Sequence, residues 1–230
     1  MPSQLRKIDE NIWVVEDSFV ILGVKGSVRM TIVRFGDGQL FIHSPTMIDD
    51  QLSDQIEALG AVARIVAPNL FHHLFFMACA KRFPNAQCWA PKGLAEKLKG
   101  ELPDHQLLDD GNPVVSSGEL EQIALKGHGI RETVFFHSPS KTLITADMIY
   151  HYQGDQYPSE TLFFRLVAKF GELSLPFYHK FAAGDKSVFL AGIERAKAWP
   201  FERIIMSHGA IYEGIAAREK FAQAWVGLLR

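Results

Sequence analysis

Five residues whose side chains bind metals or move protons stand just beyond runs that read as strands. His72 and His73 follow the run 64–67, His128 follows 120–125, Asp147 follows 142–145, and His208 follows 203–206. Loops just past strand ends are where a rigid scaffold carries binding and catalytic groups. Imidazole nitrogens together with a carboxylate make a donor set suited to zinc or iron. A single histidine beside an apolar run is more often a packed core residue than a ligand. The same placement after four separate strands is what points to one shared site.

The other candidates for chemistry carry blander readings. His43, in Phe41-Ile42-His43-Ser44-Pro45, is read as a structural hydrogen-bonding residue that could also line a pocket. His137, His151 and His179 read as surface or lid residues, and His105 beside Asp104 as exposed. Cys79 and Cys88 lack Cys-x-x-Cys spacing and read as buried thiols. Ser44 and the stretch Ser116-Ser117-Gly118 form no Gly-x-Ser-x-Gly elbow, which disfavours a serine hydrolase. Gly127-His128-Gly129 lacks the Lys and Ser/Thr of a phosphate loop.

The elements that must position these residues are legible in outline. Trp13-Val14-Val15, Phe19-Val20-Ile21-Leu22 and Met30-Thr31-Ile32-Val33 are β-branched or aromatic runs, and Gly36-Asp37-Gly38 turns the chain into Gln39-Leu40-Phe41-Ile42-His43 as a hairpin. From Met47 the periodicity becomes helical, with Leu52, Ile56 and Leu59 on one face and Gly60 ending the run. Alternation of short strands with helices follows: strand 64–67, helix 72–83, strand 87–90, and a helix begun by Pro91 that ends at Leu98. Strands 120–125, 133–136 and 142–145 come next, then helix 187–198, strand 203–206 and a closing helix 213–229. Residues 149–185 stand apart as an aromatic-rich stretch broken by Pro158, Gly171, Pro176 and Gly184. It reads as core helices, as a lid over the site, or as a homodimer surface.

Composition bounds the remaining possibilities. The chain has 230 residues, against roughly 100–200 for a typical domain, so one large domain or two small ones are allowed. Charges of 24 Lys+Arg and 26 Asp+Glu leave a formal net charge of −2, which removes the basic footprint a nucleic-acid binder needs. No apolar stretch approaches the ~20 residues of a membrane span. The N-terminal segment has no apolar core or small-residue cleavage site, so a cytoplasmic protein with reduced thiols is expected.

In the order of its motifs the sequence resembles the metallo-β-lactamase fold superfamily, and within it a branch known only as a domain of unknown function. Ile65-Val66-Ala67-Pro68-Asn69-Leu70-Phe71-His72-His73 stands where that superfamily has an apolar strand followed by Thr-His-x-His-x-Asp-His. Lys126-Gly127-His128-Gly129 is similar to its Gly-His loop, Thr142-Leu143-Ile144-Thr145-Ala146-Asp147 to its strand with a bridging Asp, and Ile204-Ile205-Met206-Ser207-His208-Gly209 to the segment of its last ligand. The resemblance runs from about residue 10 to the end of the chain. It implies an α+β fold, a four-layer αβ/βα sandwich formed by a single domain over residues 1–230, with 149–185 as an aromatic lid or insertion. It also implies a metal site drawn from His72, His73, His128, Asp147 and His208, with His73, Asp147 and His208 the most secure.

The departures reshape that expectation. Pro68 and Leu70 stand where two ligand histidines would be, and neither can ligate. One divalent metal is therefore expected instead of two, zinc ahead of iron or manganese, with His72 and Asp147 at the centre of the chemistry. His72 could be a ligand, or a base beside a metal held by His73, Asp147 and His208. The implied activity is hydrolysis of an ester, thioester, lactone or amide of a small molecule by activated water. The alternative is a degenerate, non-catalytic relative that binds a small ligand or dimerises.

Overall fold

The structure is a computed structural model that describes residues 4–21, 24–153 and 169–226. Two sheets are formed. The first has seven strands in the order β1-β2-β3-β4-β5-β6-β7: β1 (Leu5–Asp9), β2 (Ile12–Ile21), β3 (Val24–Arg34), β4 (Gln39–His43), β5 (Ala61–Val66), β6 (Gln87–Ala90) and β7 (His105–Leu107). Its first four strands pair antiparallel, and β4 to β7 pair parallel. The second sheet has five strands in the order β12-β11-β10-β9-β8: β8 (Leu120–Ala124), β9 (Thr133–His137), β10 (Thr142–Ile144), β11 (Arg203–Ile205) and β12 (Tyr212–Glu213). Here β10 and β11 are parallel and the other pairs antiparallel.

Three apolar layers follow from strand alternation, because successive residues of a strand face opposite sides. Val14, Val33, Phe41, Val66, Phe135, Ile144 and Ile205 fill the space between the sheets. On the outer face of the first sheet, Ile32, Leu40, Ile42 and Ile65 meet Leu52 and Ile56 of α1 (Asp50–Glu57), Phe76 and Cys79 of α2 (Phe76–Arg82) and Leu94 of α3 (Leu94–Lys97). On the outer face of the second, Ile123, Phe136, Leu143 and Ile204 meet Phe189 and Ile193 of helix Lys186–Ala198 and Phe221 and Trp225 of helix Ala217–Val226. The short helix His179–Ala182 is α4, so these two are α5 and α6. This is the four-layer αβ/βα sandwich expected. Asp49 caps α1 by accepting from Leu52 N (2.8 Å), and Asp185 caps α5 by accepting from Val188 N (3.1 Å).

The differences from the sequence reading have local causes. The helix expected over 72–83 begins only at Phe76, because the Asn69 side chain holds the preceding turn. The closing helix starts at Ala217 after Gly214, whose φ of 141° interrupts the helical path. The short outer strands β1 and β7 were not foreseen: each is only half covered and carries no continuous apolar pattern. Of the aromatic stretch 149–185, residues 154–168 lie outside the described residues. On either side of them Tyr150 bridges to Ser174 and Tyr152 to Phe170, and α4 follows. No helix among the described residues is long and apolar enough to cross a membrane.

Candidate metal centre

Parallel strands β4, β5, β10 and β11 place their C-terminal ends along one edge of the sandwich, and the loops leaving them meet there. His72 leaves β5, Asp147 leaves β10 and His208 leaves β11. Their donor atoms converge. His72 Nε2 lies 3.1 Å from His208 Nε2, and Asp147 Oδ1 lies 3.3 Å from His72 Nε2 and 3.4 Å from His208 Nε2. Among the described residues this is the group of three whose arrangement could hold a metal ion.

Each member is oriented by a partner on its far side. Ser44, just past β4, has a left-handed backbone (φ 54°), rare for a residue with a side chain, and its Oγ sits 2.7 Å from His72 Nδ1. His208 Nδ1 donates to the Ser27 carbonyl of β3 at 2.5 Å. Tyr150 donates its hydroxyl to Asp147 Oδ1 (2.8 Å) and pairs with the Tyr178 hydroxyl (2.9 Å). Burial raises the pKa of both phenols, which keeps them neutral donors.

Asn69 is the hub of the turn. Its Oδ1 accepts from the backbone N–H of Phe71 and His72, both at 2.8 Å. Its Nδ2 donates to Asp147 Oδ2 (2.9 Å) and to Glu132 Oε2 (2.8 Å). The orientation of the amide is unambiguous, since reversing it would set an acceptor oxygen against two carboxylates. Glu132 in turn accepts from Thr145 Oγ1 (2.5 Å) and from the backbone N–H of Ala146 and Asp147 (2.8 Å each). A fully buried carboxylate thereby shapes the loop that presents Asp147.

The electrostatics of the cluster ask for a cation. Burial would raise the Asp147 pKa, but the His72 and His208 imidazoles hold it well below the usual carboxylate range. Burial would lower the His72 pKa, but the Asp147 carboxylate overcomes this and raises it above 6.5. Burial, reinforced by the Asp147 charge, pushes Glu132 up. Because His208 spends its Nδ1–H on Ser27, a neutral His208 turns a bare Nε2 inward. His72 does the same when its Nδ1–H faces Ser44. Two imidazole lone pairs and a carboxylate oxygen then face one another, an arrangement that a shared cation relieves. The spacing also suits a metal: donors about 2.0–2.1 Å from a tetrahedral zinc ion lie about 3.3 Å apart. The residues present fit a single divalent ion.

Not all five sequence candidates meet here. His73 is the next residue after His72 but is half-exposed on the wall of the cavity above the cluster, outside the ligand group. The turn held by Asn69 directs His72 inward and His73 outward, so the expectation that His73 is among the most secure ligands is corrected. His128 is also outside the group. Its Nδ1 accepts from Ile130 N (3.2 Å), and its Nε2 pairs with His179 Nδ1 (3.0 Å). Both ring nitrogens are therefore engaged elsewhere. With His128 Nε2–H donating, His179 Nε2–H is left to donate to the Asp147 carbonyl (3.0 Å).

Other histidines also differ from their sequence reading. His179 is fully buried and supports the Asp147 loop, so it is not a surface residue. His137 and His151 are buried as well. His43 is fully buried beneath the site against Phe41 and Phe135, and among the described residues neither ring nitrogen has a hydrogen-bond partner. It is not the hydrogen-bonding residue expected. His105 is half-buried in β7. The two cysteines are buried and free, as read.

Several residues of the site were missed in the sequence. Arg29 is the clearest, because a charged residue inside the apolar run of β3 is itself a signal. It is buried, and its guanidinium donates to the carbonyls of Met206 (2.5 Å) and Gly209 (2.6 Å), on either side of His208, while Glu16 balances its charge at 2.9 Å. Gly209 completes that turn at φ 81°, where a Cβ would lie 2.5 Å from the His151 carbonyl. An Arg29→Gln protein is expected to bind metal about 10–100-fold more weakly, the usual cost of losing an outer partner of a ligand. Competition with a coloured chelator measures this. Unchanged affinity would mean that the clamp does not set the His208 position.

Buried neutral histidines give the metal-free protein an acid-sensitive stability. Burial lowers His43 from 6.5 to about 3, helped by the nearby His72, and lowers His128 and His179 to about 4. A depressed folded-state pKa means that the unfolded chain binds more protons below pH 6.5, so stability present above that pH is lost as the pH falls. His72, whose pKa the Asp147 carboxylate raises, acts in the opposite sense: its contribution is fully present below the unfolded pKa and is lost as the pH rises. His43 alone is expected to cost about 2 kcal/mol between pH 6.5 and 5, at about 1.4 kcal/mol per pH unit. Urea unfolding of metal-free protein at both pH values measures the slope, which His43→Leu is expected to reduce. An equal slope in the variant would show that His43 is not held neutral.

A cavity of about 700 Å³ opens over the cluster, with Val28, Pro45, Phe71, Leu74, Ile130 and Ala182 on its walls. At its rim Lys97 donates to the Leu70 carbonyl and lies 4.7 Å from the Phe71 ring centre.

With this geometry in place, the likeness to solved structures is informative. The fold is shared with a metallo-β-lactamase from Pontibacter korlensis (15% identity, 96% of this chain and 98% of that one, TM-score 0.66). It is shared with one from Hirschia baltica (13% identity, 97% and 98%, TM-score 0.63). It is also shared with the metallo-β-lactamase FIM-1 from Pseudomonas aeruginosa in its mono-zinc form (14% identity, 97% and 95%, TM-score 0.58). The chain thus has the metallo-β-lactamase fold. Residues 9–97, which include the His72 turn, match the family described as a domain of unknown function (DUF4336). No curated protein matches the sequence.

Proposed function

We propose that this protein is a metal-dependent hydrolase that holds a single divalent ion, zinc by preference, on His72, Asp147 and His208. The observation that carries this reading is the convergence of the three donor atoms to within 3.4 Å of one another, each oriented from behind by a separate partner. Such an ion, when bound, lowers the pKa of water towards ~7 and polarises a carbonyl. One ion is favoured over two because Asp147 Oδ2 is taken by Asn69, and Pro68 and Leu70 bring no donor. FIM-1, a protein of the same fold, has a mono-zinc form.

The chain's own residues do the rest. Tyr150 fixes Asp147 Oδ1, Asn69 fixes Oδ2, and Ser44 and Ser27 fix the two imidazoles. His72 acts as a ligand in this arrangement, since His73, the ligand that its role as a base would require, lies outside the cluster. The apolar walls above keep bulk water from the reacting carbonyl. In hydrolysis the water oxygen bonds to the carbonyl carbon and the bond to the leaving atom breaks with its electron pair. One water proton passes to the leaving group and the acid product releases the other to solvent.

The test is a screen of esters, thioesters, lactones and amides with metal-loaded and chelator-treated protein. Turnover that disappears on chelation and returns with one equivalent of metal supports the reading. Turnover indifferent to chelation, or none on any class, overturns it.

A further inference from the structure

The cavity over the metal centre has a polarity that the hydrolase reading does not by itself require. We infer that it is an acyl pocket for an uncharged apolar chain or aryl group, which makes the substrates esters or thioesters of apolar carboxylic acids. This rests on the hydrolase reading for the chemistry, but not for the binding.

The floor and the walls are sharply different. At the floor lie His72, Asp147 and His208, with the Tyr150 and Tyr178 hydroxyls beside them. The two hydroxyls are hydrogen-bonded to each other, and that of Tyr150 donates to Asp147, so these polar groups are satisfied within the floor. From that floor the lining becomes mainly apolar, with Val28, Ile130, Ala182, Phe71, Leu74 and Phe75, and His73 and Lys97 are the polar side chains on the wall. Phe71 is 61% exposed and Leu74 67% exposed, large apolar side chains left in water at the entrance. Apolar surface gathered in a concave site next to a few polar groups is the usual make-up of a small-molecule pocket, and about 700 Å³ lies within the ~300–1,000 Å³ such pockets span.

Charge narrows the class further. Lys97 is the cation at the rim, and its ammonium is turned onto the Leu70 carbonyl and the Phe71 ring. Among the described residues Asp147 is the carboxylate on the lining, and its charge is matched by two imidazoles. Among the described residues, a substrate ammonium would meet Lys97 and no free carboxylate. An apolar acyl chain would cover Leu74 and Phe71 while its carbonyl rests at the polar floor.

The experiment uses the zinc-loaded full chain and three p-nitrophenyl esters: acetate, butyrate and hexanoate. If each added methylene is buried against these walls, kcat/KM is expected to rise roughly fourfold per methylene. In parallel, N-phenyl-1-naphthylamine fluorescence reports binding to the pocket without turnover, with sodium hexanoate as displacing ligand. A Leu74→Asp variant is expected to cut the hexanoate-to-acetate ratio at least about fivefold, with bound zinc unchanged; an unchanged ratio overturns the pocket assignment. Metal-dependent turnover that is flat or falls with chain length overturns it too, and leaves the hydrolase reading standing. Absence of turnover on every ester, with the dye bound and displaced by hexanoate, supports the pocket and overturns the hydrolase reading. No turnover and no displaceable dye overturns the pocket.

Discussion

An Asn69→Asp protein is expected to lose about 3–5 kcal/mol of stability at pH 7, the cost of an uncompensated buried charge. The Asn69 amide nitrogen stands between two buried carboxylates, 2.9 Å from Asp147 and 2.8 Å from Glu132. Replacing it by oxygen sets three carboxylates together and removes two hydrogen bonds, while the acceptor for the Phe71 and His72 N–H groups is kept. Asn69→Ala removes the same bonds without adding charge and is expected to cost less. The gap between the two variants should close on acidification, because protonating one carboxyl relieves the added repulsion. Urea unfolding of both variants at pH 7 and pH 5 measures this. Equal destabilisation at pH 7 would show that the two carboxylates do not share this amide.

A His208→Ala protein is expected to retain its fold and to bind metal more than about a hundredfold more weakly. Removing a donor outright should exceed the roughly 10–100-fold cost of losing an outer partner. The position lies at the edge of the sandwich, outside the three apolar layers, so the circular dichroism spectrum should be kept. His73→Ala is the informative control. It is expected to keep its metal, because the Asn69 turn directs His73 away from the cluster. Loss of metal in His73→Ala with retention in His72→Ala would reverse the assignment of the two neighbours.

The His72/His73 pair shows how far the sequence could be read. The strand before it, the break at Pro68-Asn69 and the need for a ligand there were legible from residue type and order. Which histidine faces inward was not, because that depends on the Asn69 side chain folding back on the N–H groups of Phe71 and His72. His128 stands after a strand in the expected place, but its ring is claimed by His179, 51 residues further on. Strand-end position reports a shared edge of the fold, not where a side chain turns. Asp147 and His208 were easier, since each leaves a central parallel strand whose neighbours fix the loop's direction. Ser27, Arg29, Ser44 and Glu132 act through hydrogen bonds to residues distant in sequence, which periodicity does not carry. Arg29 did leave a trace, as a charged residue between Val28 and Met30 that a fold must either neutralise or use.

The architecture was legible where pattern and physics coincide. The Asp37-Gly38 hairpin, the 3.6-residue repeat of Leu52, Ile56 and Leu59, and the short apolar runs of β5, β10 and β11 each state their element locally. Strands β1 and β7 do not, because edge strands need apolar residues on little more than one face.

Metal stoichiometry tests the central claim most directly. The full chain, purified without a histidine tag or chelator, is analysed by inductively coupled plasma mass spectrometry, before and after reconstitution with zinc, iron or manganese. One equivalent of a divalent metal, zinc by preference, lost in His208→Ala, is the predicted result. Two equivalents would contradict the single site that Asn69 closes on the Asp147 side. No bound metal even after reconstitution would contradict the metal centre itself.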